Sequence, residues 1–146
     1  MSFFDSINIA ASGLTAERVR MDVTSENLAN AETTNAAGGQ PYRRQEVVLS
    51  QTGGNAFSST LAGAMGGSPS AGGVEVTGIV NDPTPDQLVY DPGHPGANAQ
   101  GYVRMPNVNP VTEMTDLIDE SNSYQADVTA MSTAKTMYTK TLDLLK

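Results

Sequence analysis

The sequence contains no cysteine and no tryptophan, and its three phenylalanines and five tyrosines make up only 5% of its 146 residues. Without cysteine, the chain forms neither a disulfide nor a thiolate metal site. Large aromatic side chains normally supply much of the buried area of a domain of this size. Their shortage predicts that the chain either is partly disordered or completes its burial against other chains.

Basic residues are also scarce, with 8 Lys and Arg against 16 Asp and Glu, which gives a formal net charge of -8. General nucleic-acid binding requires a basic face that neutralises phosphates, so this class of function is excluded. The only adjacent basic pair, Arg43-Arg44 in "YRRQ", is interpreted as part of a solvated surface.

Long apolar runs are absent as well. No window approaches 18 consecutive apolar residues, so we expect no direct membrane insertion. The first residues, "MSFFDSINIAASGL", carry Asp5 and no basic residue before Arg18. A secretory signal needs a basic start followed by a continuous apolar run, so we expect no cleaved signal peptide.

What the sequence does have is a seven-residue apolar repeat near its start. Ile7, Leu14, Met21 and Leu28 are each seven positions apart, and this 3.5-residue period is typical of a coiled coil. Gly13 interrupts the helical pattern at a cost of about 1 kcal/mol relative to alanine. We therefore predict an N-terminal helix with a close neighbour at Gly13.

The C-terminal forty residues repeat this pattern more strongly. Asn109-Pro110 supplies a helix cap and a first helical residue, and no glycine or proline follows. A helix over this stretch is roughly 50 Å long, which exceeds the size of a small globular domain. The predicted seam comprises one series spaced by seven and an alternate series: Leu117, Tyr124, Met131, Tyr138 and Leu145, with Met114, Val128 and Leu142.

Between the helices the composition changes. Residues 53–73 hold seven of the 14 glycines and predict a flexible segment. Four short stretches have strand character, "QEVVL" at 45–49, "GVEVTGIV" at 73–80, "QLVYD" at 87–91 and "GYVRM" at 101–105. The predicted fold class is therefore mainly α, with a small β-containing insert between long N- and C-terminal coiled-coil helices.

No residue pattern in the sequence indicates catalysis, a cofactor or a metal. His94 is the only histidine, with Asp91 nearby, but a metal site needs two or three more ligands, so a turn residue is the favoured interpretation. Asp116, Asp119 and Glu120 lie at the start of the long helix, where they complement the helix dipole. We interpret these three as a solvated face, and we expect the protein not to be an enzyme.

Several stretches of the sequence resemble a known protein family. "INIAASGLTAERVRMDVTSENLANAETT" resembles the N-terminal signature of the flagellar axial proteins, the rod, hook and hook-associated subunits. Further stretches are similar to the proximal rod proteins of the flagellar basal body: "PYRRQEVV", "GVEVTGIVNDPTP", "YDPGHPGANAQGYVRMPNVNPVTEMTDLI" and "SYQADVTAMSTAKTMYTKTLDLL". The match covers nearly the whole chain apart from the Gly-rich stretch.

The resemblance implies a fold and a function. Residues 1–35 and 107–146 would be the N- and C-terminal helices of an inner helical domain, with residues 36–106 as the insert. These helices would pack into a helical tubular assembly, the rod that transmits torque and lines the export channel. The segment after the first helix would be a junction whose polar side chains form hydrogen bonds with the backbone: Asn27, Asn30, Thr33 and Thr34. An ordinary loop that ends the helix is the alternative.

The resemblance also implies partners and a location. The partners would be further copies of the chain, other proximal and distal rod subunits, the base or adaptor protein and the flagellar type III export apparatus. The chain would lie in the basal body, where the rod crosses the periplasm, after export without a cleaved signal. A soluble helical adaptor or chaperone of the export system is the alternative, and a monomeric helical hairpin is the simpler structural one.

Overall fold

The computed structural model describes residues 3–36, 39–52, 64 and 72–143. Helix α1 spans Phe3–Ala29 and helix α2 spans Pro110–Asp143. Four strands lie between them, β1 at Gln45–Gln51, β2 at Val74–Asn81, β3 at Gln87–Tyr90 and β4 at Tyr102–Met105. The predicted strands are therefore confirmed within one or two residues at each end, whereas most of the Gly-rich stretch 53–73 lies outside the described residues.

The predicted fold class, mainly α with coiled-coil termini, is wrong. The described residues are about 50% helical and 19% strand, so the fold mixes two helices with two small antiparallel sheets. Among the helix side chains that the structure describes, none of the large apolar ones is fully buried, as the core of a coiled coil would require. Their buried positions are instead small or polar: Ala16, Val23, Thr24 and Asn27 in α1, and Glu113 and Glu120 in α2.

The start of α2 is capped as the sequence predicts. The backbone N–H of Val111 donates to the side-chain oxygen of Asn109 at 3.0 Å, and Pro110 is the first helical residue. The backbone N–H of Glu113 continues the turn by donating to the carbonyl of Asn109 at 3.0 Å. This cap holds the first turn of α2, which carries the buried Glu113, in a defined orientation.

The chain divides into two compact units, and each helix contributes to both. The first unit comprises Met1–Val19, Val48–Gly78 and Ser121–Lys146. Within it, a Cβ added to Gly13 would lie 2.8 Å from a carboxylate oxygen of Asp127, so the predicted close neighbour of Gly13 is confirmed. The hydroxyl of Ser12 donates to the carbonyl of Ile9 and accepts from the backbone N–H of Val74, which attaches the start of β2 to α1.

The second unit comprises Arg20–Val47 and Ile79–Glu120. It contains the antiparallel β3–β4 hairpin, in which Leu88 pairs with Arg104 and Tyr90 with Tyr102. Gly101 precedes β4 with φ of +81°, a conformation that side chains disfavour. Among the described residues, just four hydrophobic side chains are buried, Ala16, Val23, Val103 and Val108, in agreement with the predicted shortage of core.

None of the described helices is long and apolar enough to cross a membrane.

A buried polar junction and the candidate assembly surfaces

Asn27, near the end of α1, forms the centre of a cluster of hydrogen-bonded side chains in the second unit. Its side-chain NH2 donates to the carbonyl of Gln45 at 2.9 Å and to Oε2 of Glu113 at 3.1 Å. Its side-chain oxygen accepts from the Tyr42 hydroxyl and from the backbone N–H of Gln45, both at 2.9 Å. Asn27 is 1% exposed, so all four hydrogen-bonding positions of the amide are satisfied away from water.

Arg44 is the second organising side chain of this cluster. Its Nε lies 2.6 Å from Oε1 of Glu113, while its terminal nitrogens face Glu46, Asp82 and Asp116. The backbone N–H of Arg44 donates to the side chain of Asn107 at 2.9 Å. We call the set Asn27, Tyr42, Arg44, Gln45 and Glu113 the polar junction, because it ties the end of α1, the start of β1 and the first turn of α2 together.

Two sequence interpretations are therefore wrong. Arg44 is not on a solvated surface, because its side chain is 20% exposed and faces four carboxylates. Glu120 is not on a solvated face either, because it is 4% exposed and accepts from the Thr24 hydroxyl at 3.1 Å. Arg20 also lies 3.5 Å from Glu120, so both carboxylates that α2 buries face a cation. Buried carboxylates require such partners because desolvation otherwise disfavours their charged form.

The pKa values of the junction follow its burial and charge. Burial, followed by the charges of Glu26 and Glu113, raises the pKa of the Tyr42 hydroxyl to about 12. Burial acts to lower the pKa of Arg44, but its hydrogen bond and charge interaction with Glu113, together with Glu46, raise it above the ordinary value. The junction thus keeps Tyr42 protonated as a donor and Arg44 charged.

The raised pKa of Tyr42 predicts a loss of stability in alkaline solution. Below pH 10 the hydroxyl is protonated in both the folded and the unfolded chain. Between pH 10 and about 12 the unfolded chain releases the proton first, so the free energy of unfolding falls as pH rises through this window. Urea unfolding from pH 8 to 11 measures this slope, and we expect it to be shallower in Tyr42→Phe.

The exposed hairpin residue Tyr90 supplies the matched control for that experiment. Its hydroxyl is absent from the junction, and the side chain is 65% exposed. We expect Tyr90→Phe to keep the alkaline slope of the unmodified chain. Equal slopes in Tyr42→Phe and the unmodified chain would contradict the role given to Tyr42.

The four junction residues expected from the resemblance lie close together but differ in their contacts. Asn27 belongs to the polar junction, and the side chain of Asn30 donates to the carbonyl of Glu26 at 2.9 Å. The Thr33 hydroxyl donates to the side-chain oxygen of Asn30 at 3.1 Å. Thr34 is half-buried and lines a cleft with His94 and Arg104. The backbone N–H of Tyr42 donates to the carbonyl of Thr33, which closes the loop after α1.

The apolar residues expected to form the assembly interface are only partly covered by this chain. Those of α1 are half-buried: Ile7, Leu14, Met21 and Leu28. In α2, Leu117, Tyr124 and Met131 are half-buried, and Leu145 lies outside the described residues. The remaining four are exposed in the isolated chain: Met114 at 47%, Val128 at 37%, Tyr138 at 38% and Leu142 at 44%.

The buried carboxylates of α2 follow a seven-residue spacing of their own, which the neighbouring apolar repeat obscured in the sequence. Glu113, Glu120 and Asp127 are spaced by seven and lie one position before Met114, Ser121 and Val128. Glu113 and Glu120 are buried and Asp127 is half-buried, whereas Met114, Ser121 and Val128 are exposed. The covered positions of α2 therefore lie one residue before those of the predicted alternate series. Tyr42 and Arg44 had no local signal, because their buried partners, Asn27 and Glu113, are distant in sequence.

The described residues contain no group of three or more His, Asp or Glu side chains arranged to hold a metal ion. His94 lies in a turn, where its Nδ1 accepts from the backbone N–H of Gly96 at 3.0 Å. The hydrogen bonds of the polar junction run among its own members and their neighbours. The chemistry that this arrangement supports is the positioning of chain segments.

Comparison with known proteins gives matches at both ends and over the full length. The family "Flagella basal body rod protein" matches residues 7–36, and "Flagellar basal body rod FlgEFG protein C-terminal" matches residues 99–144. The chain is 52% identical over 151 residues to the flagellar basal-body rod protein FlgC of Bacillus subtilis, with 100% of both chains covered. It is 42% identical to FlgC of Yersinia enterocolitica, covering 99% of this chain and 98% of the other. FlgC of Borreliella burgdorferi is 38% identical, with 100% and 99% coverage.

Proposed function

The chain belongs to the FlgC family of flagellar basal-body rod proteins, and on that premise we propose how it serves the rod and through which surfaces it assembles. It is a structural subunit of the rod of the flagellar basal body. The observation that carries this conclusion is the 52% identity over the whole of both chains to a rod protein. Similarity restricted to one terminal helix would have supported membership of the flagellar axial proteins in general, but not of the FlgC family.

We propose that the subunit acts mechanically, as part of the proximal rod that transmits torque and lines the export channel. Its role requires no bound cofactor and no catalysis, and the polar junction supports such a role. Charge-assisted hydrogen bonds inside a low-dielectric environment are strong and directional. They hold the end of α1 and the start of α2 in one geometry, as a subunit that transmits torque requires.

The partners that we propose are further copies of the chain, other proximal and distal rod subunits and the base or adaptor protein. The location is the basal body where the rod crosses the periplasm, after export by the flagellar type III apparatus without a cleaved signal. The division into helical segments 1–35 and 107–146 around an insert at 36–106 is part of the same proposal. Contacts between non-identical surfaces of successive subunits build an extended array instead of closing on themselves.

The interface that we propose includes Ile7, Leu14, Met21 and Leu28 in α1 and the apolar series of α2. Their partial exposure supports this, because apolar side chains that the isolated chain leaves partly uncovered gain burial when a neighbouring subunit packs on them. Met114 is the most useful of these for a test, since it is 47% exposed in the isolated chain. An acidic substitution there leaves the fold intact and adds a charge that favours the helix N-terminus.

The test is complementation of cells that lack the gene. The deletion is expected to abolish the hook and the external filament, and the unmodified gene to restore motility. Met114→Asp is expected to reduce motility and the amount of the chain in purified basal bodies at least tenfold, because it places a charge in an apolar contact. Thr115→Asp, at the neighbouring exposed position, is the control and is expected to complement.

One outcome would contradict the assignment to the rod, and another would contradict the proposed interface. Rotating flagella in the deletion strain, with basal bodies that lack the chain, would favour the export adaptor or chaperone. Full incorporation of Met114→Asp would remove Met114 from the interface without affecting the assignment to the rod.

A further inference from the structure

The second unit contains a polar cleft of about 460 Å³, which lies within the size range of ligand pockets, about 300–1,000 Å³. Its lining comes from the loop after α1, from the loop between β3 and β4 and from β4 itself. None of the apolar residues of the proposed assembly interface lines it. We call it the hairpin cleft, and the side chains that characterise it are Asn35, Gln40, His94, Asn98, Tyr102 and Arg104.

The charge of the hairpin cleft is opposite to that of the whole chain. The described residues that line it include Arg104 and no Asp or Glu, although the chain carries 16 acidic residues against 8 basic ones. Arg104 is exposed and takes part in none of the ion pairs among the described residues, whereas Arg43 and Arg44 both face carboxylates. A guanidinium only donates hydrogen bonds, and its planar fork matches the two oxygens of a carboxylate. The cleft therefore offers a cation that has no counter-charge of its own.

The loop between β3 and β4 leaves two further side chains of the cleft as hydrogen-bond donors. Nδ1 of His94 accepts from the backbone N–H of Gly96 at 3.0 Å, so a neutral His94 carries its hydrogen on Nε2. The side-chain oxygen of Asn98 accepts from the backbone N–H groups of Gln100 and Tyr102, both at 2.9 Å. Because the loop backbone occupies these acceptors, the groups that remain for a ligand are the Nε2–H of His94 and the NH2 of Asn98.

The same loop is held in place by hydrogen bonds at both of its ends. The backbone N–H of Asp91 donates to the carbonyl of Gly101, and that of Asn98 donates to the carbonyl of Tyr102, both at 2.9 Å. The ring of Tyr102 also packs edge-on against the ring of Tyr90, with the ring centroids 5.3 Å apart. Donors that are already ordered lose less conformational entropy when a ligand binds, so this loop is suited to recognition.

We propose that the hairpin cleft binds the carboxylate of an acidic side chain on another polypeptide, with Arg104 as the main contact. His94 and Asn98 add neutral donors. One cation among neutral donors matches the single charge of a carboxylate, whereas a phosphate group carries a charge of about -1.5 to -2 at neutral pH. The site goes beyond the assignment to the rod, which does not require it.

The remaining lining of the cleft favours a polypeptide as the carrier of the carboxylate. Tyr102 and Arg104 are two positions apart in β4, so they share one face of the hairpin, and the ring supplies an apolar wall for the carbons of an acidic side chain. Asn35 and Gln40 line the cleft with amide groups, which match the donors and acceptors of a peptide backbone. A free carboxylate as small as acetate leaves these groups without contacts.

The test uses two capped peptides that differ only in charge. Acetyl-Ala-Glu-Ala-amide is added to the purified chain, and the amide and guanidinium resonances are followed by NMR. Acetyl-Ala-Gln-Ala-amide is the matched neutral probe. We expect the acidic peptide to shift the Asn98 NH2 and the Arg104 Nε–H and to bind at least fivefold more tightly than the neutral one. Equal affinities, or no shifts at these groups, would overturn the proposal.

Substitutions at Arg104 test its role as the main contact. Arg104→Gln is expected to weaken binding of the acidic peptide at least fivefold, and Arg104→Lys at least twofold, because lysine keeps the charge without the planar fork. The side chain is exposed and the backbone pairs with Leu88, so both variants keep the hairpin. Arg18→Gln is the control, since Arg18 is exposed on α1 and does not line the cleft. Unchanged binding in Arg104→Gln, or an equal loss in Arg18→Gln, would overturn the site.

Asn98→Asp tests the neutral donors separately from the cation. Aspartate keeps an oxygen that accepts from the N–H groups of Gln100 and Tyr102, but it replaces the NH2 donor by a negatively charged oxygen. We expect at least a fivefold loss of affinity for the acidic peptide, with the backbone resonances of the loop retained. Undiminished binding would show that Asn98 does not face the ligand and would overturn the proposed donor set.

Two small anions identify the source of the ligand. Sodium acetate is expected to bind at least fivefold more weakly than the acidic peptide, because it does not reach the ring of Tyr102 or the amides of Asn35 and Gln40. Inorganic phosphate is expected to bind more weakly as well. Acetate binding as tight as that of the peptide would overturn the assignment to a polypeptide, and tighter phosphate binding would overturn the assignment to a carboxylate. Both results would leave the rod function standing.

Discussion

Replacing Glu113 with alanine is expected to lower the free energy of unfolding by about 3–5 kcal/mol, the usual cost of removing one partner of a buried ion pair. Glu113 is 1% exposed, and its two oxygens accept from Arg44 and Asn27. The substitution removes both acceptors and leaves a partly buried guanidinium without its main counter-charge. Urea unfolding of the purified chain, followed by circular dichroism, measures the loss.

Glu46 provides the matched control, because its carboxylate also pairs with Arg44 but is 53% exposed. Exposed ion pairs contribute about 0–1 kcal/mol, so Glu46→Ala is expected to lower the free energy of unfolding by less than about 1 kcal/mol. Both substitutions remove a carboxylate partner of Arg44, so the difference in the free energy of unfolding between them reports the burial of that partner. Similar losses in the two variants would show that the junction is not organised around Glu113.

Asn27→Asp is expected to cost about 3 kcal/mol or more at neutral pH, although the two side chains are nearly identical in size. The substitution removes the donor to Glu113 and the carbonyl of Gln45, and an unsatisfied buried group costs about 1–3 kcal/mol. It also places a second carboxylate beside Glu113, and like charges this close raise the pKa of one carboxyl in the folded state.

The raised pKa gives this variant a characteristic pH dependence. A carboxyl that holds its proton more tightly in the folded than in the unfolded chain stabilises the fold at low pH and loses that contribution as pH rises. The deficit of Asn27→Asp relative to the unmodified chain should therefore shrink as pH falls toward the ordinary carboxyl range. Urea unfolding at a series of pH values tests this.

Asn30→Asp adds the same charge three residues later and serves as the control. Asn30 donates one exposed hydrogen bond, to the carbonyl of Glu26. A negative charge near a helix C-terminus costs about 0.3–1 kcal/mol, so a small loss with little dependence on pH is expected. A deficit in Asn27→Asp that does not change with pH would contradict the close approach of residues 27 and 113.

Local patterns in the sequence predicted the elements well. The strands at 45–51, 74–81, 87–90 and 102–105 follow from β-branched stretches between turn residues. The start of α2 follows from Asn109-Pro110. These features depend on residues a few positions apart, so a single sequence is sufficient to identify them.

The packing of the helices could not be predicted from the same local patterns. The seven-residue apolar repeat suggested a coiled-coil seam, whereas the covered face of α2 carries Glu113, Glu120 and Asp127. An acidic residue normally indicates a solvated face, because burying a charge without a partner is unfavourable. Arg44, 69 positions away from Glu113, reverses this expectation, and no local pattern indicates the pairing.

The sequence by itself determined the family, the order of the elements and the scarcity of core, because each depends on residue identities along the chain. The tertiary structure alone decided which polar residues are buried and which apolar residues stay exposed. Asn27, Tyr42 and Arg44 became a junction because the fold brings them to Glu113. Met114 and Leu142 became candidates for contact with another copy because the fold leaves them 47% and 44% exposed. A side chain is buried when a segment distant in sequence packs over it, so its burial depends on the tertiary structure.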